Sequence, residues 1–268
     1  MIVVFAFKSQ GFEVQLQEDL SMVLQQFKVL RAGFEQDHGH VDDIEPLTYS
    51  VALPEVFPGC VLTGQLKWTG QFKNGLRHQL LKLQANALKG SKGRRRELML
   101  GSWIEFLVLK TLGLDVQMCC LFTDEWFEIN TTLEDRSVHS HHVDDPDDPQ
   151  AQISALKAKS LLVELVQQFM RGQADVLPMP LKTALSFVGE KNPQKALDLS
   201  REVYEGGHDA RFFESQEMSL ARAYPEFDDL IKDPDTLMLW AKILKPFCLW
   251  VEGLTFHDYE LSQEERGS

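Results

Sequence analysis

Apolar positions along the chain change their spacing several times, and each spacing predicts an element. The run Ile2-Val3-Val4-Phe5-Ala6-Phe7 has the length of a short buried strand within residues 1–8. Over 17–34, Leu20, Val23, Leu24, Phe27, Leu30 and Phe34 recur at helical spacing and predict an amphipathic helix. A polar stretch from Asp37 to Pro46 follows. Residues 47–56 then alternate, with Leu47, Tyr49, Val51 and Leu53 on one face. Pro54, Pro58 and Gly59 mark a turn, and 60–69 places Leu62, Leu66 and Trp68 on one face. The two runs predict an antiparallel hairpin over 47–69.

Residues 76–89 read as a helix, broken by the basic loop Gly90-Ser91-Lys92-Gly93-Arg94-Arg95-Arg96. A strongly apolar helix is expected over 96–111, carrying Leu100, Trp103, Ile104, Leu107 and Val108, with Gly113 as its stop. Strands are expected at 114–122 and 126–131, joined by Thr123-Asp124-Glu125. Residues 134–148 read as a polar loop. Asp148 and Pro149 have the chemistry of a helix cap and first turn, for a helix reaching Arg171 and ending at Gly172. Leu177-Pro178-Met179-Pro180 leads into a short helix at 181–187, and Asn192-Pro193 starts another that ends near Gly206-Gly207. In the last helix Asp233 caps and Pro234 takes the first turn. Leu237, Trp240, Ala241 and Leu244 make its buried face, and Pro246 is expected to kink or end it. No internal repeat is visible. The order predicts an α/β fold, a small mixed sheet flanked by helices.

Composition leaves that picture intact. At 44% hydrophobic and 25% charged, the 268 residues suit a globular protein with a core large enough to fold unstapled. No stretch approaches the length of a membrane span, and the start lacks the pattern of a signal peptide, so a cytoplasmic protein is expected. Cys60, Cys119, Cys120 and Cys248 contain no CxxC pair and read as core thiols.

Charge adds more. The net charge of −13 opposes general nucleic-acid binding. Its distribution is uneven, however: residues 67–110 hold ten Lys/Arg and two acids, and 111–150 hold one Arg and ten acids. A basic segment followed by an acidic one points to a macromolecular partner more than to a small substrate. No Walker loop, GxGxxG or GxSxG is present, which weakens NTPase, dinucleotide and hydrolase readings.

Five stretches, in order, carry a family resemblance: Leu62-Thr63-Gly64 with Leu66; Gly101 to Leu109 with Trp103-Ile104-Glu105; Leu177-Pro178; Tyr204-Glu205-Gly206; and the last helix, opened by Asp233-Pro234-Asp235-Thr236-Leu237 and interrupted by Leu244-Lys245-Pro246-Phe247. Together, over roughly 45–255, they resemble the C-terminal domain of RecC, the gamma subunit of exodeoxyribonuclease V. The resemblance implies a restriction-endonuclease-like (PD-(D/E)xK) core with added helices, spanning 46–268 behind an N-terminal helical extension at 1–45. It also implies RecB-like and RecD-like partner subunits, DNA repair and recombination as the setting, and no cofactor, membrane or small-molecule substrate.

An active nuclease of that type needs two carboxylates on successive strands to hold Mg²⁺, and a lysine beside the attacking water. Here Lys67 falls where the first carboxylate belongs, and between Leu53 and Glu97 the only acid is Glu55. A cation at a ligand position repels the metal, so the expectation is a non-catalytic subunit-assembly and DNA-handling domain. Two alternatives stand beside it. One is a protein-interaction module with no DNA contact. The other is an active nuclease with relocated ligands, drawn from Asp115, Asp124, Glu125 and Glu128.

The candidate DNA- or partner-binding residues are Lys67, Arg77, His78, Lys89, Lys92, Arg94, Arg95 and Arg96. The loop cations suit phosphates, suit an acidic partner surface, and equally suit a solvated loop. His139, His141, His142, Asp144, Asp145, Asp147 and Asp148 have metal-binding side chains but read as an exposed polar loop. Trp103, Trp126, Trp240 and Trp250 read as core, with Phe212-Phe213 and Phe247 to Trp250 as an alternative exposed patch.

Overall fold

The computed structural model describes residues 47–66, 69–71, 77–84, 86–90, 93–130, 153–206 and 213–258; strand residues 69–71, 77–81, 83, 115–117 and 130 are described by their backbone. Upstream, Ser21, Gln25, Lys28 and Ala32 alone are described; they are helical and exposed, on the polar side of the helix expected over 17–34. The strand expected at 1–8, the loop at 134–148, the Asp148-Pro149 cap, Lys67, Trp68, Lys92 and Phe212 lie outside the described residues.

The expected hairpin is present. β1 (Leu47–Ala52) pairs antiparallel with β2 (Val61–Leu66), from Leu47↔Leu66 to Ala52↔Val61. Its inward face buries Val51, Leu53 and Leu66, as alternation predicted. Tyr49 lies opposite Gly64, and a Cβ at Gly64 would overlap the Tyr49 phenol. Glycine there makes room for the ring to cross the strand.

The main sheet has five strands in the order β3-β4-β7-β8-β9. They are β3 (Thr69–Gln71), β4 (Arg77–Leu83), β7 (Asp115–Leu121), β8 (Glu125–Asn130) and β9 (Thr255–Asp258). β4 and β7 run parallel, and the other pairs run antiparallel, so the sheet is mixed. Between β4 and β7 come the two-residue strands β5 (Lys89–Gly90) and β6 (Gly93–Arg94), a 3-10 turn at Arg96–Met99, and helix α1 (Leu100–Thr111). Gly113 stops α1 with a left-handed φ of 67°, its N–H donating to the Lys110 carbonyl.

The expected helix over 76–89 is therefore wrong. β4 is hydrogen-bonded along both edges, to β3 through Thr69↔Leu80 and to β7 from Arg77↔Asp115 to Leu83↔Leu121. Two ladders outweigh the modest helix preference of Leu, Gln and Lys. The Leu80-Leu81 run suits a central strand, and periodicity alone does not separate such a run from a buried helix.

The remaining helices are α2 (Ala155–Ala174), α3 (Leu181–Val188), α4 (Pro193–Glu205), α5 (Met218–Ala223), α6 (Phe227–Leu230) and α7 (Asp235–Glu252). α2 begins behind Ser154, whose hydroxyl accepts from the Lys157 N–H, and not at Pro149. It also outlasts Gly172 by two residues, because the loop beyond, not the glycine, turns the chain. Asn192 caps α4, and Gly206 ends it with a φ of 87°. The Asp233 carboxylate accepts from the Asp235 N–H at the head of α7.

Pro246 does not end α7, which continues to Glu252. Proline inside a helix costs about 3 kcal/mol. Beyond it, Phe247, Cys248, Trp250 and Val251 are all buried. At roughly 1.5–3 kcal/mol for each large apolar side chain, that burial outweighs the defect.

The core lies where α1 and α7 meet the sheet. Trp103 packs on Phe247 at 5.4 Å, and Phe106 and Phe127 pack on Trp250 at 5.8 and 6.3 Å. Phe247 to Trp250 is thus core, not an exposed patch. Phe213 is half-buried beside Gly206. Trp240 is also core, whereas Trp126 is half-buried and stacks on His257 at 4.3 Å. Among the described residues no helix is long and apolar enough to cross a membrane.

Candidate functional site

The basic loop folds into the β5–β6 hairpin, where Lys89 faces Arg94 and Gly90 faces Gly93. Gly93 has a φ of 115°, which the tight reversal requires. The hairpin is seated on the β7–β8 turn and on β9, and acids from both hold it. The Asp124 carboxylate accepts from the Leu88 N–H at 2.6 Å and the Lys89 N–H at 2.7 Å. The Lys89 ammonium pairs with Asp258.

Arg94 makes the most buried of these contacts. Its Nε and Nη2 donate to both Glu125 oxygens, at 2.8 and 2.9 Å. Its guanidinium also stands 3.8 Å from the centre of the Phe256 ring. Glu125 is 1% exposed, whereas Arg94 is 42% exposed. Such a forked pair joins two charges with fixed geometry, and the aromatic face adds a second attraction. Hydrogen bonding to Glu125 holds the guanidinium above its ordinary pKa. Bonding to Lys89 holds the Asp258 carboxyl below its own.

The three consecutive arginines go to three places. Arg95 lies beside Gly90, its Nε 3.5 Å from Glu97. Arg96 turns inward to the end of α3, against Gly189, and hydrogen-bonds the Cys248 thiol on α7. Burial raises the pKa of that thiol, and the nearby Arg96 charge offsets part of the rise. Adjacency in sequence therefore does not make one cationic patch. Arg77 and His78 open β4, Arg77 in register with Asp115, and are described by their backbone.

A second polar group lies on the sheet under α1. Lys82 of β4 donates to Glu105 of α1 at 2.9 Å. Beside them, the Cys120 thiol donates to the Ser102 hydroxyl at 3.4 Å. Burial pushes that thiol up to about 11, so it stays protonated and unreactive. Lys82 follows Leu80 and Leu81 on a strand, Arg77–Leu83, that carries no acid. Among the described residues no group of three His, Cys, Asp or Glu side chains could hold a metal ion.

Asp124 and Glu125, two candidates for relocated nuclease ligands, are thus bound to backbone N–H groups and to Arg94. Sequence reading named the cations of this site but not their partners as partners. Asp258, 169 residues from Lys89, left no local signal.

The geometry describes a mixed α/β domain whose basic hairpin is pinned by acids of the β7–β8 turn, β8 and β9. The chain belongs to the RecC C-terminal domain family, whose model matches residues 12–192, about two thirds of the sequence. The match takes in Leu62-Thr63-Gly64, Gly101 to Leu109 and Leu177-Pro178, and starts upstream of the 45–255 resemblance. Tyr204-Glu205-Gly206 and the last helix lie beyond it. No curated protein matches the chain.

Proposed function

We propose that this chain is a non-catalytic domain that supports subunit assembly and handles DNA within a RecBCD-type helicase–nuclease, in double-strand break repair and recombination. Membership of the RecC C-terminal domain family carries this reading. Its partners are RecB-like and RecD-like subunits. Its framework is a PD-(D/E)xK nuclease-like core over 46–268, with 1–45 as a helical extension; the family match from residue 12 takes in most of that extension.

Two observations support the non-catalytic part. The strand before the crossover, Arg77–Leu83, has no acid, and its Lys82 already neutralises Glu105. Mg²⁺ binds through carboxylates, and an ammonium competes for the same oxygens.

For DNA handling, the phosphate contacts are assigned to Lys67, Arg77, His78 and Lys92, with Arg95 at the hairpin rim. Lys89 and Arg94 have carboxylate partners, and Arg96 is turned inward. Those engaged cations favour a second reading, in which the domain binds protein alone.

The test is titration of the full chain with duplex and single-stranded DNA at two salt concentrations, with and without Mg²⁺. Salt-sensitive binding without cleavage, weakened by joint Lys92→Ala and Arg95→Ala substitution, is expected from DNA handling. Arg94 is left intact because its loss also strips Glu125 of its partner. Metal-dependent cleavage overturns the non-catalytic reading. Absence of binding, with assembly onto helicase subunits retained, decides for the protein-only reading.

A further inference from the structure

We infer that the groove between the end of α2 and the start of α5 docks a basic amphipathic helix of a partner protein. This deepens the assembly reading and rests on it only in that the domain works by binding protein. The groove has a volume of about 740 Å³ and is lined by Gly172 to Leu177, by Met179 to Leu181, and by Glu214, Glu217, Ser219 and Leu220.

Its charge is one-sided. Among the described residues Asp175, Glu214 and Glu217 line it, and no Lys or Arg does. Three carboxylates around an apolar floor repel phosphates and attract ammonium and guanidinium groups. Nucleic acid is therefore a poor occupant, and a cationic protein segment is a good one.

Its apolar side includes one methionine, and exposed apolar side chains lie close by along the chain. Met179 lines the groove; Met218, 71% exposed, stands between lining residues Glu217 and Ser219; Phe169 and Met170, 63% and 47% exposed, stand on the last turns of α2. Flexible thioethers adapt to the side chains of a docking helix and recur on surfaces that accept such helices. Leaving them exposed in the isolated chain has a cost that a partner removes.

The groove is preformed. Leu177 rests on Gly172, where a Cβ would be 3.2 Å from it. Trp240 Nε1 donates to the Pro178 carbonyl at 2.6 Å, and the Tyr224 hydroxyl donates to the Val176 carbonyl at 2.9 Å. Glu214 accepts from the N–H groups of Lys182 and Thr183, fixing α3 at the rim.

These bonds also decide the shape of the occupant. The Val176, Pro178 and Pro180 carbonyls already accept hydrogen bonds, and the Asp175, Val176 and Met179 N–H groups already donate. A strand adding to this loop would find no ladder to join. A helix needs none, since it satisfies its own backbone and presents apolar side chains at i, i+3, i+4 and i+7.

The probe is a fluorescent helical peptide with leucines at those positions and lysines on its flanks, carrying one photo-crosslinker, titrated against the full chain. Glu217→Lys with Gln173→Lys cancels the groove's net negative charge while leaving Glu214 in place. Asp229→Lys with Glu252→Gln, at exposed acids that do not line the groove, makes the same charge change elsewhere. The groove pair is expected to weaken binding about tenfold or more and the other pair less than twofold, with crosslinks within 172–181 and 214–220. Equal loss from both pairs, or crosslinks elsewhere, overturns the site.

A second arm co-purifies the full chain with RecB-like and RecD-like subunits. Assembly weakened by the groove pair alone supports the site as a subunit contact. Assembly untouched by it removes the groove from the complex but leaves the assembly reading standing. Failure of the unsubstituted chain to assemble defeats the assembly reading, and the peptide result then judges the groove by itself.

Discussion

Arg94→Ala separates a structural role for the basic hairpin from a DNA-binding one. The substitution removes two N–H···O bonds of 2.8 and 2.9 Å to Glu125 and the contact at 3.8 Å with the Phe256 ring. Hydrogen bonds to a charged group contribute roughly 1.5–3 kcal/mol each when shielded from water. With Arg94 42% exposed, water can replace part of that, and the contribution is cut by roughly half. The ring contact adds about 0.5–1 kcal/mol. Glu125, 1% exposed, remains as a charge without its cation.

The expected destabilisation is about 2–4 kcal/mol, or a fall in Tm of roughly 4–16 °C. Urea unfolding and calorimetry of the single variants, and of Arg94→Met with Glu125→Leu, measure it. The double variant is expected to lose at least about 1 kcal/mol less than the two singles together, because it leaves no unpaired charge. Additivity within about 0.5 kcal/mol would refute the coupling. Loss of DNA affinity on Arg94→Ala without loss of stability would show that this guanidinium serves phosphate and not Glu125.

Three other outcomes are expected. Burial, with Glu214, Asp229 and Glu205 nearby, pushes the Tyr204 phenol from 10.0 up to about 12. A folded-state value above the unfolded one means that this stability is complete below pH 10 and lost as pH rises towards 12; Tyr204→Phe is expected to flatten that alkaline decline in chemical denaturation. Gly64→Val places a side chain where the Tyr49 ring lies and is expected to cost about 2 kcal/mol or more, with Tyr49→Ala in the same chain recovering part of it. Pro246→Ala returns an N–H donor to α7 and is expected to raise Tm, whereas an unchanged or lower Tm would show that the proline ring itself contributes to packing.

Much of this protein was written locally. The β1–β2 hairpin was legible because Leu47, Tyr49, Val51 and Leu53 alternate and Pro58-Gly59 turns the chain, so one face must be buried at period two. The starts of α4 and α7 were legible because Asn192-Pro193 and Asp233-Pro234 satisfy helix-end N–H groups within a few residues. The stop at Gly113 needed only a residue free to adopt a left-handed φ. Long-range pairing decided the rest. β4 became a strand because β3 and β7 supply hydrogen bonds on both its edges, and no local pattern encodes the β7 neighbour, 38 residues along at Arg77↔Asp115. α7 runs through Pro246 because the core beyond it rewards burial more than the lost bond costs. The basic loop announced its cations, but whether a cation meets solvent, phosphate or carboxylate depends on what folds against it. Only the tertiary structure brings Glu125 to Arg94 and Asp258 to Lys89. It also turns Arg96 away from its neighbours, since opposite charges distant in sequence attract only once the sheet has placed them within a few ångströms.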